Sequence, residues 1–255
     1  MKCSISSIKY QKTLNYMKNI VIFGSSGHGS VVLDCIEKEG KYKVVGFIDS
    51  TKKKGSKQNG YEILGTEYDL PYLIDKYNLF GGIVAIGDNW IRSVVVNKIQ
   101  RILPDFNFIS TVHPSAVIGR NVKIGSGVAI MAGVIINTNS RIADHCILNT
   151  YSSLDHDGIM EKFSSLAPRA CTGGNLYLGK FSSVCLGVQV IERIRIGEHA
   201  VIGAGSLVVK DVGSYTLSYG TPSRIIRKRK VGDPYLSTHR VVHFPKINSI
   251  ASNFY

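Results

Sequence analysis

The stretch of this sequence best equipped for chemistry is Asp155-His156-Asp157. An imidazole titrates near neutral pH, with an unperturbed pKa of about 6.5, so His156 could accept and return a proton. A carboxylate that hydrogen-bonds the ring would fix its tautomer and raise its basicity, and Asp157 is the natural partner, with Asp155 as the alternative. A second group is the glycine-rich turn Gly24-Ser25-Ser26-Gly27-His28-Gly29, followed 25 residues after Gly24 by Asp49. Glycines there would let backbone N–H groups approach an anion at a helix N-terminus. Asp49 could accept hydrogen bonds from a nucleotide's ribose or base. Arg92 could pair bidentately with a phosphate, or could equally be a helix surface residue.

These groups need elements to hold them, and the clearest is a repeat. From Val112 to Gly213 the chain divides into 17 hexads with no residue inserted or lost. Sixteen of the 17 first positions are aliphatic, Thr172 being the exception, and the fifth position is mostly small or β-branched. A period of six fits neither a helix nor a plain strand, so each unit is read as a short strand followed by a corner, which makes a parallel β-helix. Ahead of it, Ile20–Phe23, the glycine turn, the helically spaced Val31, Val32, Cys35 and Ile36, and Tyr42–Ile48 read as βαβ. The turn's spacing is Gly-x-x-Gly-x-Gly rather than Gly-x-Gly-x-x-Gly. About 90 residues hold half of a doubly wound fold. That suits one nucleotide better than a dinucleotide. A loop over Lys52–Lys57, a helix near Leu70–Tyr77, a strand over Gly82–Ile86 and a helix over Ser93–Ile102 complete this domain.

The expected fold is therefore α/β plus all-β. Residues 1–17 are read as a flexible leader, 18–108 as a Rossmann-like nucleotide-binding domain, 109–220 as a parallel β-helix and 221–255 as a basic tail. The formal charge is +13, but residues 1–18 and 221–255 carry +10 of it. No recognised nucleic-acid motif accompanies the charge, so nucleic-acid binding is not expected. The run Arg224 to Lys230 reads as a solvated helix or as a segment attracting a phosphorylated ligand. No apolar run is long enough to span a membrane and no signal peptide is evident. Five scattered cysteines suggest reduced thiols and a cytoplasmic setting.

Ile-Phe-Gly-Ser-Ser-Gly-His-Gly, Gly-Phe-Ile-Asp and Ile-Gly-Asp-Asn in the first domain, with Leu-Asn-Thr, Asp155-His156-Asp157, Gly-Gly-Asn-Leu and Gly-Thr-Pro-Ser-Arg-Ile-Ile in the repeat region, resemble one branch of the hexapeptide-repeat acyltransferases. This branch holds the PglD-type nucleotide-aminosugar N-acetyltransferases and the NeuD-type sialic acid O-acetyltransferases. The resemblance spans residues 18–228. It implies a left-handed β-helix with three hexads per coil, so that His156 and Gly174, 18 apart and both third in their hexads, are neighbours on adjacent rungs.

The resemblance further implies acetyl-CoA as acyl donor, no metal, and a nucleotide-linked 4-amino-4,6-dideoxy sugar as acceptor. In this scheme His156 is the general base, Asp157 its support and Gly174 N–H the oxyanion donor. Gly24, Ser25, His28, Asp49 and Arg92 would contact the nucleotide sugar. Leu186, Gly187, Gly203, Ala204 and the loop at Pro222 would meet coenzyme A, and a homotrimer would place the sites between subunits. Ser165 stands where many members have a donor-contacting histidine, so that contact is in doubt. A sugar O-acetyltransferase and a non-catalytic nucleotide-sugar-binding protein are the alternatives. A zinc enzyme on the same helix would need His113, His145 or His199 to converge between subunits.

Overall fold

The structure, a computed structural model, describes residues 17–236. The leader before Met17 and the segment holding His239, His243 and Phe244 lie outside the described residues. The first domain runs β1 (Lys18–Phe23), α1 (Gly27–Glu39), β2 (Tyr42–Ile48), β3 (Lys57–Gln58), β4 (Tyr61–Gly65), α2 (Leu70–Tyr77), β5 (Leu79–Val84) and α3 (Asn89–Ile102). Its sheet order is β3-β4-β2-β1-β5, parallel except for the edge hairpin of β3 with β4.

β1 is central and covered on both faces, which is why Ile20, Val21, Ile22 and Phe23 form an unbroken apolar run. Ile20 and Ile22 join the core shared with α1, whereas Val21 and Phe23 face α2 and α3. Two expectations change here. The hairpin of β3 and β4 fills the stretch between the loop expected at Lys52–Lys57 and the helix near Leu70, for which no element was expected, because two-residue and five-residue strands leave too short a period to read. Helix α3 begins at Asn89 rather than Ser93, because Asp88 caps it, its carboxylate accepting from Trp90 and Ile91 N–H at 2.9 and 3.0 Å.

From Thr111–Val112 to Leu207–Val208 the chain forms 17 two-residue strands, one per hexad. Every third strand pairs in parallel, as in Ser153↔Cys171 and Leu154↔Thr172, so residues 18 apart stack and three faces result. The first-position side chains fill the prism: Leu148, Leu154, Met160, Leu166, Leu178 and Val184 are fully buried. Thr172 satisfies its hydroxyl on the Ser153 carbonyl at 3.2 Å. The corners close with the fourth position in the left-handed region, from Asn121 to Gly205.

The first face is the one the N-terminal domain covers, its outward residues Thr111, Ala129, Ile147, Ser165, Ser183 and Val201 all being buried. The corner leading into it carries a ladder of rings, His145, Phe163, Phe181, His199 and Tyr215, with successive centroids 4.9, 5.4, 4.6 and 5.0 Å apart. Trp90 of α3 packs on Phe181 and His199, and Phe108 caps the ladder edge-on at His145. His145 and His199 are thus packing residues three rungs apart. Among the described residues no three His, Cys, Asp or Glu side chains group to hold a metal.

The hairpin that closes the helix corrects the reading of the basic tail. Thr216–Gly220 adds to the first face in parallel, and Ser223–Lys228 pairs with it antiparallel, so the segment from Arg224 is a strand rather than a solvated helix. A boundary at residue 220 would divide this hairpin.

Burial drives His145 down to about pKa 4, against the pull of Asp144 and assisted by Arg92 and Lys162. Between pH 6.5 and about 4 the unfolded chain takes up a proton that native His145 refuses, so stability falls as pH falls through that window. The loss reaches about 3 kcal/mol at most. Urea midpoints at pH 7 and 4.5 should show this slope, and His145→Phe, which keeps the stack, should flatten it. An unchanged slope in that variant would remove His145 as its source.

Candidate active site

His156 sits on the corner between the second and third faces, in the hexad that starts at Leu154. Asp157 follows in the left-handed fourth position, φ 56°, which folds its carboxylate back to the ring: His156 Nδ1 and Asp157 Oδ2 are 2.8 Å apart. A carboxylate can only accept, so Nδ1 carries the proton and Nε2 keeps its lone pair. The hydrogen bond to Asp157 raises the His156 pKa above its ordinary value; desolvation opposes the rise, and the charges of Asp155 and Asp157 add to it. Asp155 is engaged elsewhere. Its Oδ1 accepts from Asn137 Nδ2 at 2.5 Å and from His156 N–H at 2.8 Å, which holds its carboxyl below the usual range.

Gly174 lies one rung above, as the 18-residue spacing requires. A β-carbon at Gly174 would collide with the imidazole, 2.5 Å from Cε1 and 3.0 Å from Cδ2, so only glycine leaves room for the ring. Its N–H donates to no acceptor among the described residues, while its carbonyl accepts from Arg193. A free base nitrogen and a free N–H donor therefore flank one exposed corner. This geometry can remove a proton from a nucleophile and hold a developing oxyanion.

The residues expected at coenzyme A divide. Leu186, Gly187, Gly203 and Ala204 stack on the corner between the first and second faces, with Gly205 N–H bonded to the Leu186 carbonyl. Above them comes the hairpin turn with Pro222, seated where Gly220 N–H meets the Ser206 hydroxyl at 3.1 Å. This corner and the His156 corner are the two edges of the same second face. Ser165 belongs to the first face instead. It is buried, receives Asn89 Nδ2 at 3.1 Å and donates to Ser183 Oγ at 3.2 Å. The expectation of a donor contact at Ser165 is not met within the chain, because α3 covers it.

At the other site, Gly24 takes φ +94°, and Gly29 has no room for a side chain against the Gly24 carbonyl. These two constraints account for the first and last glycines of the turn. Asp49 ties the turn down, accepting from Ser25 N–H at 2.9 Å, Ser25 Oγ at 2.6 Å, and Thr51 N–H and Oγ1 at 2.8 and 2.7 Å. Partial burial disfavours its charge, but these donors outweigh that and hold its pKa at about 2. His28 Nε2 is buried without a partner, and burial with Arg92 nearby lowers its pKa to about 4.

Arg92 is a correction. Expected against phosphate, it is fully buried, and its guanidinium is spent on protein carbonyls: Nε on His145, Nη1 on Ile86 and Gly87, Nη2 on Phe163 and on Asn89 Oδ1. The sequence around Arg92 offered no hint of this, because two of its acceptors, His145 and Phe163, lie on the other domain and the rest in the loop and first turn just ahead of it. Asn89, which reaches the Ser182 carbonyl at 3.0 Å, and Asn137 were not foreseen either. Asn137 had a signal, the 18-residue offset from Asp155.

A Rossmann-like half domain docked on a hexapeptide β-helix, with a His–Asp pair beside a glycine of the next rung, defines a sugar acyltransferase of the hexapeptide class. The chain belongs to the PglD-type branch of that family: the PglD N-terminal domain matches residues 19–99 and the bacterial transferase hexapeptide repeat matches 115–150. A GDP-perosamine N-acetyltransferase of Escherichia coli O157:H7 is 32% identical over 207 residues, covering 78% of this chain and 81% of that protein. The Caulobacter crescentus GDP-perosamine N-acetyltransferase, solved as a histidine-to-alanine variant with CoA and GDP-perosamine, is 32% identical with a TM-score of 0.78, over 84% of this chain and 99% of that one. The acetyltransferase domain of PglB from Neisseria gonorrhoeae, solved with acetyl coenzyme A, is 28% identical with a TM-score of 0.76, over 82% and 99%.

Proposed function

We propose that the protein transfers acetyl from acetyl-CoA to the C4 amine of a nucleotide-linked 4-amino-4,6-dideoxy sugar. The observation that carries this reading is the free His156 Nε2 beside the Gly174 N–H, in a chain whose relatives include enzymes named for this reaction. The neutral amine attacks the thioester carbonyl, His156 Nε2 accepts the ammonium proton, and the Gly174 N–H bonds the carbonyl oxygen as it gains charge. Collapse expels coenzyme A as thiolate, which takes up a proton, and leaves the amide. Asp157 stabilises the imidazolium formed in between. The nucleotide binds at the carboxyl ends of β1 and β5, where the Gly24 turn and His28 lie, and coenzyme A along the corner of Leu186, Gly187, Gly203 and Ala204.

Thiol release from acetyl-CoA, measured against GDP-, UDP- and dTDP-linked 4-amino sugars with sialic acid as comparison, tests the reading. Turnover with sialic acid alone would move the protein to O-acetylation. The second face supports a homotrimer. Its outward residues Val117, Ile135, Ser153, Cys171, Gln189 and Leu207 carry no charge, and Val117 and Ile135 are 60% and 44% exposed. An uncharged face that exposes Val117 and Ile135 calls for cover. Light scattering should give three times the 27.9 kDa of one chain, and a monomer would contradict it. Both substrates are cytoplasmic metabolites, which is the compartment this reading implies. No helix among the described residues is long and apolar enough to cross a membrane.

A further inference from the structure

After the closing hairpin the chain does not leave the molecule. Arg229 N–H bonds the Tyr215 carbonyl at 2.8 Å, Gly232 lies against the Trp90 indole, 3.1 Å from Nε1 to where its β-carbon would be, and Tyr235 reaches the loop between β5 and α3. There its hydroxyl donates to the Gly87 carbonyl at 3.2 Å and faces Asn89 N–H at 3.3 Å. Leu236 closes over Gly87, at 3.4 Å from a β-carbon built there. Burial pushes the Tyr235 phenol above its usual pKa, so it acts as a neutral hydroxyl.

The loop it holds is one wall of the nucleotide crevice. In open parallel sheets ligands bind outside the carboxyl ends of the strands where the order reverses, here between β1 and β5. The two walls touch: a β-carbon on Gly24 would lie 3.0 Å from Ile86 Cγ1 and 3.1 Å from the Ala85 carbonyl. Arg92 fixes the loop from beneath, through the Ile86 and Gly87 carbonyls. The upper side is left to Tyr235. Across the crevice His28 Nε2 is buried without a partner.

We infer that Tyr235 is a positioning residue for the nucleotide: the strap Arg229–Leu236 holds the Gly87–Asn89 loop in the shape that receives a nucleoside diphosphate. This rests on the nucleotide-sugar reading above. Tyr235→Phe keeps the ring and removes the hydroxyl. In the full chain it should weaken GDP or UDP binding by calorimetry, and raise KM for the amino sugar nucleotide, by about tenfold. The turnover number and the KM for acetyl-CoA should stay within about twofold and the melting temperature should not move.

Unchanged nucleotide affinity in this variant overturns the inference, as does a parallel loss of turnover and melting temperature, which would make the tyrosine merely structural. Wild-type protein that binds neither nucleotide also overturns it. Failure of the acetyl-transfer reading is seen separately, as wild-type protein that binds nucleotide but releases no thiol with any amino sugar.

Discussion

Replacing His156 with asparagine should lower the turnover of a nucleotide-linked amino sugar by about 10²- to 10⁴-fold, the range a positioned general base contributes. The KM for acetyl-CoA and the melting temperature should hardly change, because the ring is half exposed. The pH profile adds a second reading. The reactive form is neutral imidazole, and Asp157 raises the pKa at which it is lost. Activity of the native protein should therefore fall as the pH drops through a limb above 6.5, and Asp157→Asn should move that limb to lower pH. Thiol release followed from pH 5.5 to 8.5 measures both. A His156→Asn variant with more than about a tenth of native turnover would remove the histidine from proton transfer.

The second large effect concerns Arg92. Arg92→Leu should cost about 3–5 kcal/mol of stability, read from urea denaturation, because five acceptors lose their donor at once in a site closed to water. Burial lowers the pKa of this guanidinium, but the carbonyls of both domains point at it and keep it satisfied. Arg92→Lys should not restore the loss, since an ammonium cannot reproduce a planar fork to carbonyls on opposite sides. If Arg92→Leu folded with native stability and lost only nucleotide binding, the residue would belong to the phosphate after all.

These two residues show how far a sequence reaches. The β-helix was legible down to the rung because its contacts obey one fixed offset. Once residues 18 apart must stack, placing His156 beneath Gly174 needs no knowledge of the rest of the molecule. The same rule could have identified Asn137 under Asp155 and the ladder His145, Phe163, Phe181 and His199, though the left-handed fourth position that turns those rings outward was not read. The βαβ unit was equally clear, from an apolar run, a glycine-rich turn in which Gly24 and Gly29 have separate geometric duties, and an acidic residue at the end of β2.

What the sequence alone determined is therefore everything carried by local period: two domains, the prism and its core, and, once three hexads per coil are taken from the family resemblance, the stacking of His156 on Gly174. What only the tertiary structure decided is everything set by docking. Arg92, Asn89 and Ser165 face one another because α3 lies across the first face of the helix, and Tyr235 meets Gly87, 148 residues away, because the last segment folds back. No periodicity encodes such contacts. They follow from the shapes of two finished surfaces, so an arginine that looked free to meet a phosphate is instead the group that joins the domains.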